Sequence, residues 1–217
     1  MCGRYSFFSK DDILEDRFQA HFNIPIQRHY NAAPTQKLPV ILNDNPKEIV
    51  PGQWGLIPRW LKDKPGRGLI NARAETLTEK PSFRNAVKKH RCLVLADSFF
   101  EWTRQASTKI PYRILLKNER PFAFAGIWEF YKNKQGVTFP TFSIITTPAN
   151  NMISELHDRM PAILEPKYEQ LWIDDSTELE AALETLKPLP ANQMKMYQVS
   201  PQMNSVRYES EDIIKPT

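Results

Sequence analysis

The chain opens Met1-Cys2-Gly3-Arg4-Tyr5. A small residue after the initiator methionine permits its removal, which leaves Cys2 with a free amine beside a thiol. Such a 1,2-aminothiol condenses with an aldehyde through the amine, then closes a five-membered thiazolidine through the thiol. The same residue can act as an N-terminal nucleophile in acyl transfer, or it can be a small terminal residue with no role. Cys92 lies in the apolar run Cys92-Leu93-Val94-Leu95 and reads as inert core. Two cysteines cannot build a disulfide framework, and no paired CxxC set offers a structural zinc site. No metal or cofactor is expected.

Charge points to a partner. From Arg59 to Arg91 the chain has 10 Lys/Arg against 3 Asp/Glu, whereas from Glu165 to the end it has 5 against 10, within a net charge of +4. The first stretch suits a polyanion and the second a solvated scaffold face. A basic loop without a partner would look the same from charge alone.

The elements that must position these residues are short. With 217 residues, 41% of them hydrophobic and 25% charged, the chain falls in the ordinary globular range. No apolar run approaches the roughly 20 residues that cross a bilayer, and no signal peptide is evident, so a cytoplasmic, nucleoid-associated protein is expected. Eighteen prolines against seven glycines argue for many short extended segments with stiff turns. Arg4–Phe8 reads as a strand, and Ser9 as the cap of a helix burying Leu14, Phe18 and Phe22. Pro39–Leu42 and Glu48–Ile57 read as strands, and Pro58–Gly68 as a loop. Asn71–Thr78 and Ser82–Lys89 read as short helical turns. Cys92–Ala96 is a buried strand that Ser98–Trp102 continues. Tyr112–Lys117, Phe122–Tyr131 and Val137–Thr146 form a meander with a hairpin turn at Asn133–Gly136. Asn150–Leu156 reads as a short helix, Ser176–Leu186 as the clearest helix, and Lys195–Val199 as a last strand. The expected fold is α+β: one mixed domain over residues 1–217, rich in antiparallel, barrel-like sheets with short peripheral helices.

Several blocks then occur in a telling order: Met1-Cys2-Gly3-Arg4-Tyr5, Asn31-Ala32-Ala33-Pro34-Thr35, Trp54-Gly55-Leu56-Ile57-Pro58, and Asn71-Ala72-Arg73-Ala74-Glu75-Thr76. Arg91-Cys92-Leu93, Phe99-Phe100-Glu101-Trp102, His157-Asp158-Arg159-Met160-Pro161 and Val199-Ser200-Pro201 follow. In this the chain resembles the SRAP (SOS-response-associated peptidase) family along its whole length. One departure is Ser98, where the family usually has glycine or a similar small residue; a local backbone adjustment without lost chemistry is expected.

The resemblance implies covalent capture of abasic sites in single-stranded DNA, with the processed Cys2 forming a thiazolidine on the ring-opened sugar. It places the active residues at Cys2, Asn71, Glu101 and His157. The Cys2 amine, with an ordinary pKa of about 7.7–8.0, is partly neutral near pH 7. Asn71 can hold the amine or a sugar oxygen without titrating. Glu101, after two aromatics, is expected to have a raised pKa suited to moving protons and to removing anything ahead of Cys2. His157 can protonate the sugar ring oxygen. Taken singly, Asn71 reads equally as a helix cap, Glu101 as a partner of an arginine, and His157 as a helix-end residue. By the same resemblance Arg4, Arg73, Arg84 and Arg159 are expected to clamp phosphates. Trp54, Pro58 and Trp60 are expected to stack on or wedge between bases, although Trp54 suits a core equally well. The expected partner is single-stranded DNA with abasic sites, bound by a monomer and no membrane. Rival readings are a cysteine-type peptidase acting on other proteins and a non-covalent reader of modified DNA bases.

Overall fold

The computed structural model describes residues 2–61, 66, 68–105 and 108–217. Part of the expected loop Pro58–Gly68 therefore lies outside the described residues, as does Met1. Strands, numbered in chain order, fall into two sheets. The five-stranded sheet holds β1 (Tyr5–Phe7), β3 (His29–Ala32), β8 (Ser98–Gln105), β9 (Thr108–Leu116) and β14 (Met194–Gln198), in the spatial order β14-β9-β8-β1-β3. The larger sheet holds β2 (His21–Phe22), β4 (Lys37–Leu42), β5 (Glu48–Trp54), β6 (Asn71–Arg73) and β7 (Arg91–Ala96). It also holds β10 (Phe122–Lys132), β11 (Thr138–Pro148), β12 (Arg159–Pro161) and β13 (Ile163–Leu164). The fold is mixed α+β and strand-rich, with few and short helices. No helix among the described residues is long and apolar enough to cross a membrane.

The larger sheet closes on itself. β11 pairs with β10 along one edge and with β5 along the other, while β5 connects through β4 and β7 back to β10. Five strands thus form a ring, which leaves no open edge along that path. Every residue of β7 is buried, as a strand covered on both faces requires. The β5–β11, β6–β11 and β2–β5 pairings are parallel, departing from a purely antiparallel plan.

Close packing in the ring depends on missing side chains. A Cβ on Gly126 would lie 2.7 Å from Cys92 Sγ and 2.9 Å from Val94 Cγ2, and one on Gly52 would lie 2.9 Å from Val40 Cγ2. The two sheets meet through β1. Tyr5 is fully buried, with its ring 5.1 Å from that of Trp54 and 5.8 Å from that of Phe124.

Several local expectations change. Ser98–Trp102 does not continue the strand before it: β7 and β8 belong to different sheets, and Asp97 makes the corner. Its buried carboxylate accepts the N–H groups of Phe8 (2.6 Å) and Ser9 (3.0 Å) and the Ser9 hydroxyl. Ser9 therefore caps no helix. Helix α1 (Asp11–Phe18) begins after Lys10 without a side-chain cap, and Gln19 at φ 53° ends it, so Phe22 belongs to β2. The expected meander divides likewise: β10 and β11 pair as a hairpin, but β9 joins β8 and β14 in the other sheet. Asn71–Arg73 is a strand before a single 3-10 turn, Ala74–Thr76.

Helix α2 (Ala86–Lys89) is one turn, and the expected helix Ser176–Leu186 shrinks to α4 (Leu179–Leu183). A longer helix, α3 (Pro166–Ile173), forms where none was expected, with Pro166 in its first turn. It docks on β7 through the Trp172 indole N–H to the Cys92 carbonyl (3.1 Å). The Arg91 guanidinium donates to the Trp172 and Asp174 carbonyls (2.6 and 2.7 Å). Ser98 sits without disturbing β8: its hydroxyl accepts from Arg113 Nε (2.8 Å) and lies 2.5 Å from the Ser6 hydroxyl.

Filling the ring should be costly. Gly126→Ala is expected to lower stability by roughly 1–3 kcal/mol, the usual cost of overpacking, read as a lower urea midpoint at unchanged slope. Adding Cys92→Ala should return part of the loss by removing the nearest atom. An unchanged midpoint for Gly126→Ala would show that the ring yields more easily than its spacing implies.

Candidate active site

Glu101 reaches the site through strand alternation. On β8, Phe99 faces the main core and Phe100 packs in a second cluster with Val199, Met203, Ile213 and Ile214. Glu101, two residues after Phe99, falls on the Phe99 side and is only 4% exposed. Asn71 comes from the other sheet, where β6 pairs with β11 in the register Asn71↔Ile144. Trp54 fixes that edge by donating its indole N–H to the Ile70 carbonyl (2.9 Å). The segment leading into β1 runs between them, and the Phe100 N–H donates to the Arg4 carbonyl (3.0 Å).

Cys2 is fully buried at this junction. Asn71 Nδ2 donates to the Cys2 carbonyl (2.8 Å), and the Cys2 thiol points toward the Arg4 carbonyl (3.7 Å). Asn71 Oδ1 is buried and has no hydrogen-bond partner among the described residues. Burial, and after it the Glu101 carboxylate, pushes the Cys2 thiol far above the ordinary thiol range, so it is held as the neutral S–H. Burial likewise pushes the Glu101 carboxyl up, while the positive amino terminus and His157 pull the other way.

A cavity of about 430 Å³ opens beside these groups, lined by Gly3, Arg4, Glu101, Trp102, Lys109, His157 and Asn204. A second, of about 500 Å³, shares Gly3 and Arg4 and extends along Ala33–Gln36, Ile70 and Val206. The two make one groove crossing the start of the chain. Thr35, on its wall, is held at φ 79°, a costly conformation for a β-branched residue, with its N–H on the Trp54 carbonyl (2.8 Å). His157 turns Nδ1 toward the Arg159 N–H (3.0 Å) and the Asp158 carboxylate (2.7 Å). Nδ1 cannot serve both at once. It accepts from Arg159 when the ring is neutral and donates to Asp158 when the ring is protonated. Nε2 is the nitrogen left for the cavity in either state.

The structure thus gathers Cys2, Asn71, Glu101 and His157 at one place, from four separate segments. The expected DNA contacts divide. Arg4 is half-buried in the groove, and Arg73, Arg84 and Trp60 are exposed. Trp54 is a core residue at 0% exposure and presents no face to a base, while Pro58 is largely buried but lines a separate cavity with Trp60. Arg159 is not a free clamp either. It is 8% exposed, with its guanidinium paired to both Glu75 oxygens (2.6 and 2.9 Å) and to the Thr146 carbonyl (2.6 Å). That pairing holds the Glu75 carboxyl below its ordinary range. Arg159 braces the strand that follows His157.

Three groove residues escaped sequence reading. Trp102 donates its indole N–H to Asn204 Oδ1 (2.6 Å), and Asn204 Nδ2 donates to the Lys109 carbonyl (3.2 Å). Trp102 stood next to Glu101 in a block already singled out. Lys109 and Asn204 carried no local signal, because only β8–β9 pairing and the return of the C-terminal segment bring them in.

A family model described as SOS response associated peptidase (SRAP) matches residues 1–206. The chain is similar to the abasic site processing protein YoqW of Bacillus subtilis, at 42% identity over 222 residues covering 99% of each chain. It is also similar to the abasic site processing protein YedK of Escherichia coli, at 30% identity with 100% of both chains covered. A solved structure of a protein from Bacteroides thetaiotaomicron superposes with a TM-score of 0.90 at 29% identity, over 100% of both chains. With these likenesses running from end to end, the chain belongs to the SOS response associated peptidase family.

Proposed function

We propose that this chain acts in the DNA damage response by capturing abasic sites in single-stranded DNA through a thiazolidine formed by Cys2, working as a monomer and as one domain. The observation that carries the reading is the fixing of Cys2 by Asn71 beside a buried Glu101 and a cavity-facing His157. Relatives named abasic site processing proteins add support.

Each group has a step. The abasic sugar is a closed hemiacetal until a proton reaches its ring oxygen and the anomeric hydroxyl loses one; His157 Nε2 supplies the first. The Cys2 amine, exposed by loss of Met1, adds to the aldehyde carbon, and water leaves as the C=N bond forms. The thiol sulfur then bonds that carbon while its proton passes to nitrogen, closing the ring without oxidant or reductant. Asn71 Oδ1, buried and without a hydrogen-bond partner among the described residues, suits an N–H of the Cys2 amine. Glu101 moves the protons, and the same carboxyl would serve to clip residues ahead of Cys2.

Three measurements test this. Intact mass of the protein mixed with an abasic oligonucleotide should show Met1 lost and the oligonucleotide added less one water. Cys2→Ala should give no adduct, and His157→Ala should form it roughly 10²–10⁴-fold more slowly but with the same mass. Undiminished capture by Cys2→Ala sinks the proposal.

The second concerns Glu101. Native Glu101 keeps its proton to higher pH than the unfolded chain does, so between the two pKa values folding takes up a proton and stability falls as pH rises. Glu101→Gln should therefore melt above the parent at neutral pH, and the difference should vanish below about pH 4. It should also clip an artificial N-terminal extension poorly. A melting difference independent of pH would remove the carboxyl from this role.

The third concerns the groove. Single-strand affinity should fall with salt by about 0.7 log units per phosphate contact for each decade. Arg73→Ala should flatten that slope by one contact and leave base preference unchanged, as titrations at several salt concentrations would reveal. An identical slope would place Arg73 off the path of the strand.

A further inference from the structure

The basic stretch builds a second concave site, which shares no lining residue with the groove at Cys2. A cavity of about 320 Å³ is lined by Arg59, Trp60, Lys88, Lys89, His90 and Glu129, among others. Its position is fixed by β11. The Thr141 hydroxyl donates to the Glu129 carbonyl (3.0 Å) and accepts the Ile57 N–H (3.0 Å), holding the segment that ends in Arg59 and Trp60 against β10.

Glu129 supplies an acceptor to this cavity although it is only 6% exposed. Arg59 Nε lies 2.8 Å from one carboxylate oxygen and His90 Nδ1 lies 3.4 Å from the other, while the His90 ring packs 4.8 Å from that of Trp128. Glu129 Oε2, beside Arg59, is enclosed, whereas Oε1 keeps lone pairs for a further donor, because His90 Nδ1 makes no hydrogen bond among the described residues. Beside it Trp60 is 63% exposed, whereas Trp54, Trp128 and Trp172 are at most 1% exposed. Exposed Lys88 and Lys89 complete the rim.

An acceptor-only group, an open aromatic face and a cationic rim together match an unpaired nucleotide. The base stacks, the phosphate meets the lysines, and the edge of the base must donate. Guanine fits best, because its N1–H and N2–H lie side by side and can both donate to the lone pairs of Glu129 Oε1. Cytosine and adenine offer a single amino group next to an acceptor, and thymine flanks its one N–H with carbonyls that would face the carboxylate.

We propose that this cavity binds an unpaired guanine nucleotide of the DNA strand that carries the lesion. The proposal rests on the function proposed above, and it adds a sequence preference that an abasic site, having no base, cannot itself provide.

The test uses single-stranded thymine oligonucleotides, lesion-free or with one abasic site, with a single dG or dA placed at each position in turn. Binding is measured for the full chain and for Glu129→Gln and Trp60→Ala. One position should favour dG over dA by roughly tenfold, the scale of a bidentate base contact. That ratio should fall to about one in both variants. Absence of any guanine-favouring position in the parent protein overturns the proposal, as does a ratio that persists in both variants. Should Glu129→Gln not fold, the exposed Trp60→Ala decides alone. A parallel titration with 5′-dGMP and 5′-dAMP distinguishes the source. Preference for dGMP, lost in Trp60→Ala and unaccompanied by any positional effect in the strand, would mean a free-nucleotide site and overturn the strand-borne one. Failure of every abasic oligonucleotide to form an adduct would count against the function alone, because lesion-free binding still reports on the guanine site.

Discussion

The site depends most on one side-chain amide. Asn31 is completely buried, and both ends of its side-chain amide are hydrogen-bonded. Its Oδ1 accepts from Arg4 Nη1 (2.6 Å), and its Nδ2 donates to the carbonyls of Ser205 and Tyr208 (2.9 Å each). Arg4 reaches onward to the Met203 carbonyl (3.3 Å), and Glu209 accepts the Asn31 N–H (3.0 Å) and meets His29 Nδ1 (3.1 Å). One end of the chain is thereby tied to the other: the segment after Cys2 is held by the segment that supplies Asn204 and Val206 to the groove. A buried amide bonded at both ends is specific, because losing a partner leaves a polar group without water or protein to satisfy it.

The same economy of space governs the reactive groups. Glu101 and the Cys2 thiol are buried with pKa values pushed toward their neutral forms, an arrangement that opposes folding whenever either ionises. The surrounding scaffold can bear it because its own strands are closed into a ring. Arg159 illustrates the division of labour. A residue that reads as a phosphate clamp is committed to Glu75 and the Thr146 carbonyl, and it stiffens the turn that presents His157. Trp54 does the same for Asn71 through the Ile70 carbonyl.

How much of this was legible depends on range. The hairpin at Asn133–Gly136 announced itself through local chemistry: Asn133 Oδ1 accepts the N–H groups of Gln135 and Val137, and Gly136 takes φ 83°. The grouping of Cys2, Asn71, Glu101 and His157 was legible because each stood in a recognisable block. The switch between sheets at Asp97 was not, since both flanks are apolar β-sequence and the deciding bonds come from Phe8 and Ser9, far away in the chain. Helix α3 carried its signal in Pro166, but the apolar stripe at Leu179–Leu186 looked stronger until packing cut it to five residues. Lys109 and Asn204 were invisible for the reason Asp97 was: their roles are created by long-range pairing.

Burial of the thiol also fixes the order of bond making in the proposed capture. A neutral, desolvated S–H is a weak nucleophile toward an aldehyde, whereas an amine with an ordinary pKa near neutrality is already partly free to attack. The imine must therefore form first. Once it does, its nitrogen carries positive charge next to the thiol, and the positive charge that develops there favours loss of the thiol proton by the same electrostatics through which Glu101 had opposed it. A carboxyl whose affinity for protons is raised by burial can accept the thiol proton and return it within the cavity, which suits both steps. The low polarity that makes Glu101 and Cys2 costly to fold is thus what keeps the thiol unreactive until the amine has found its aldehyde.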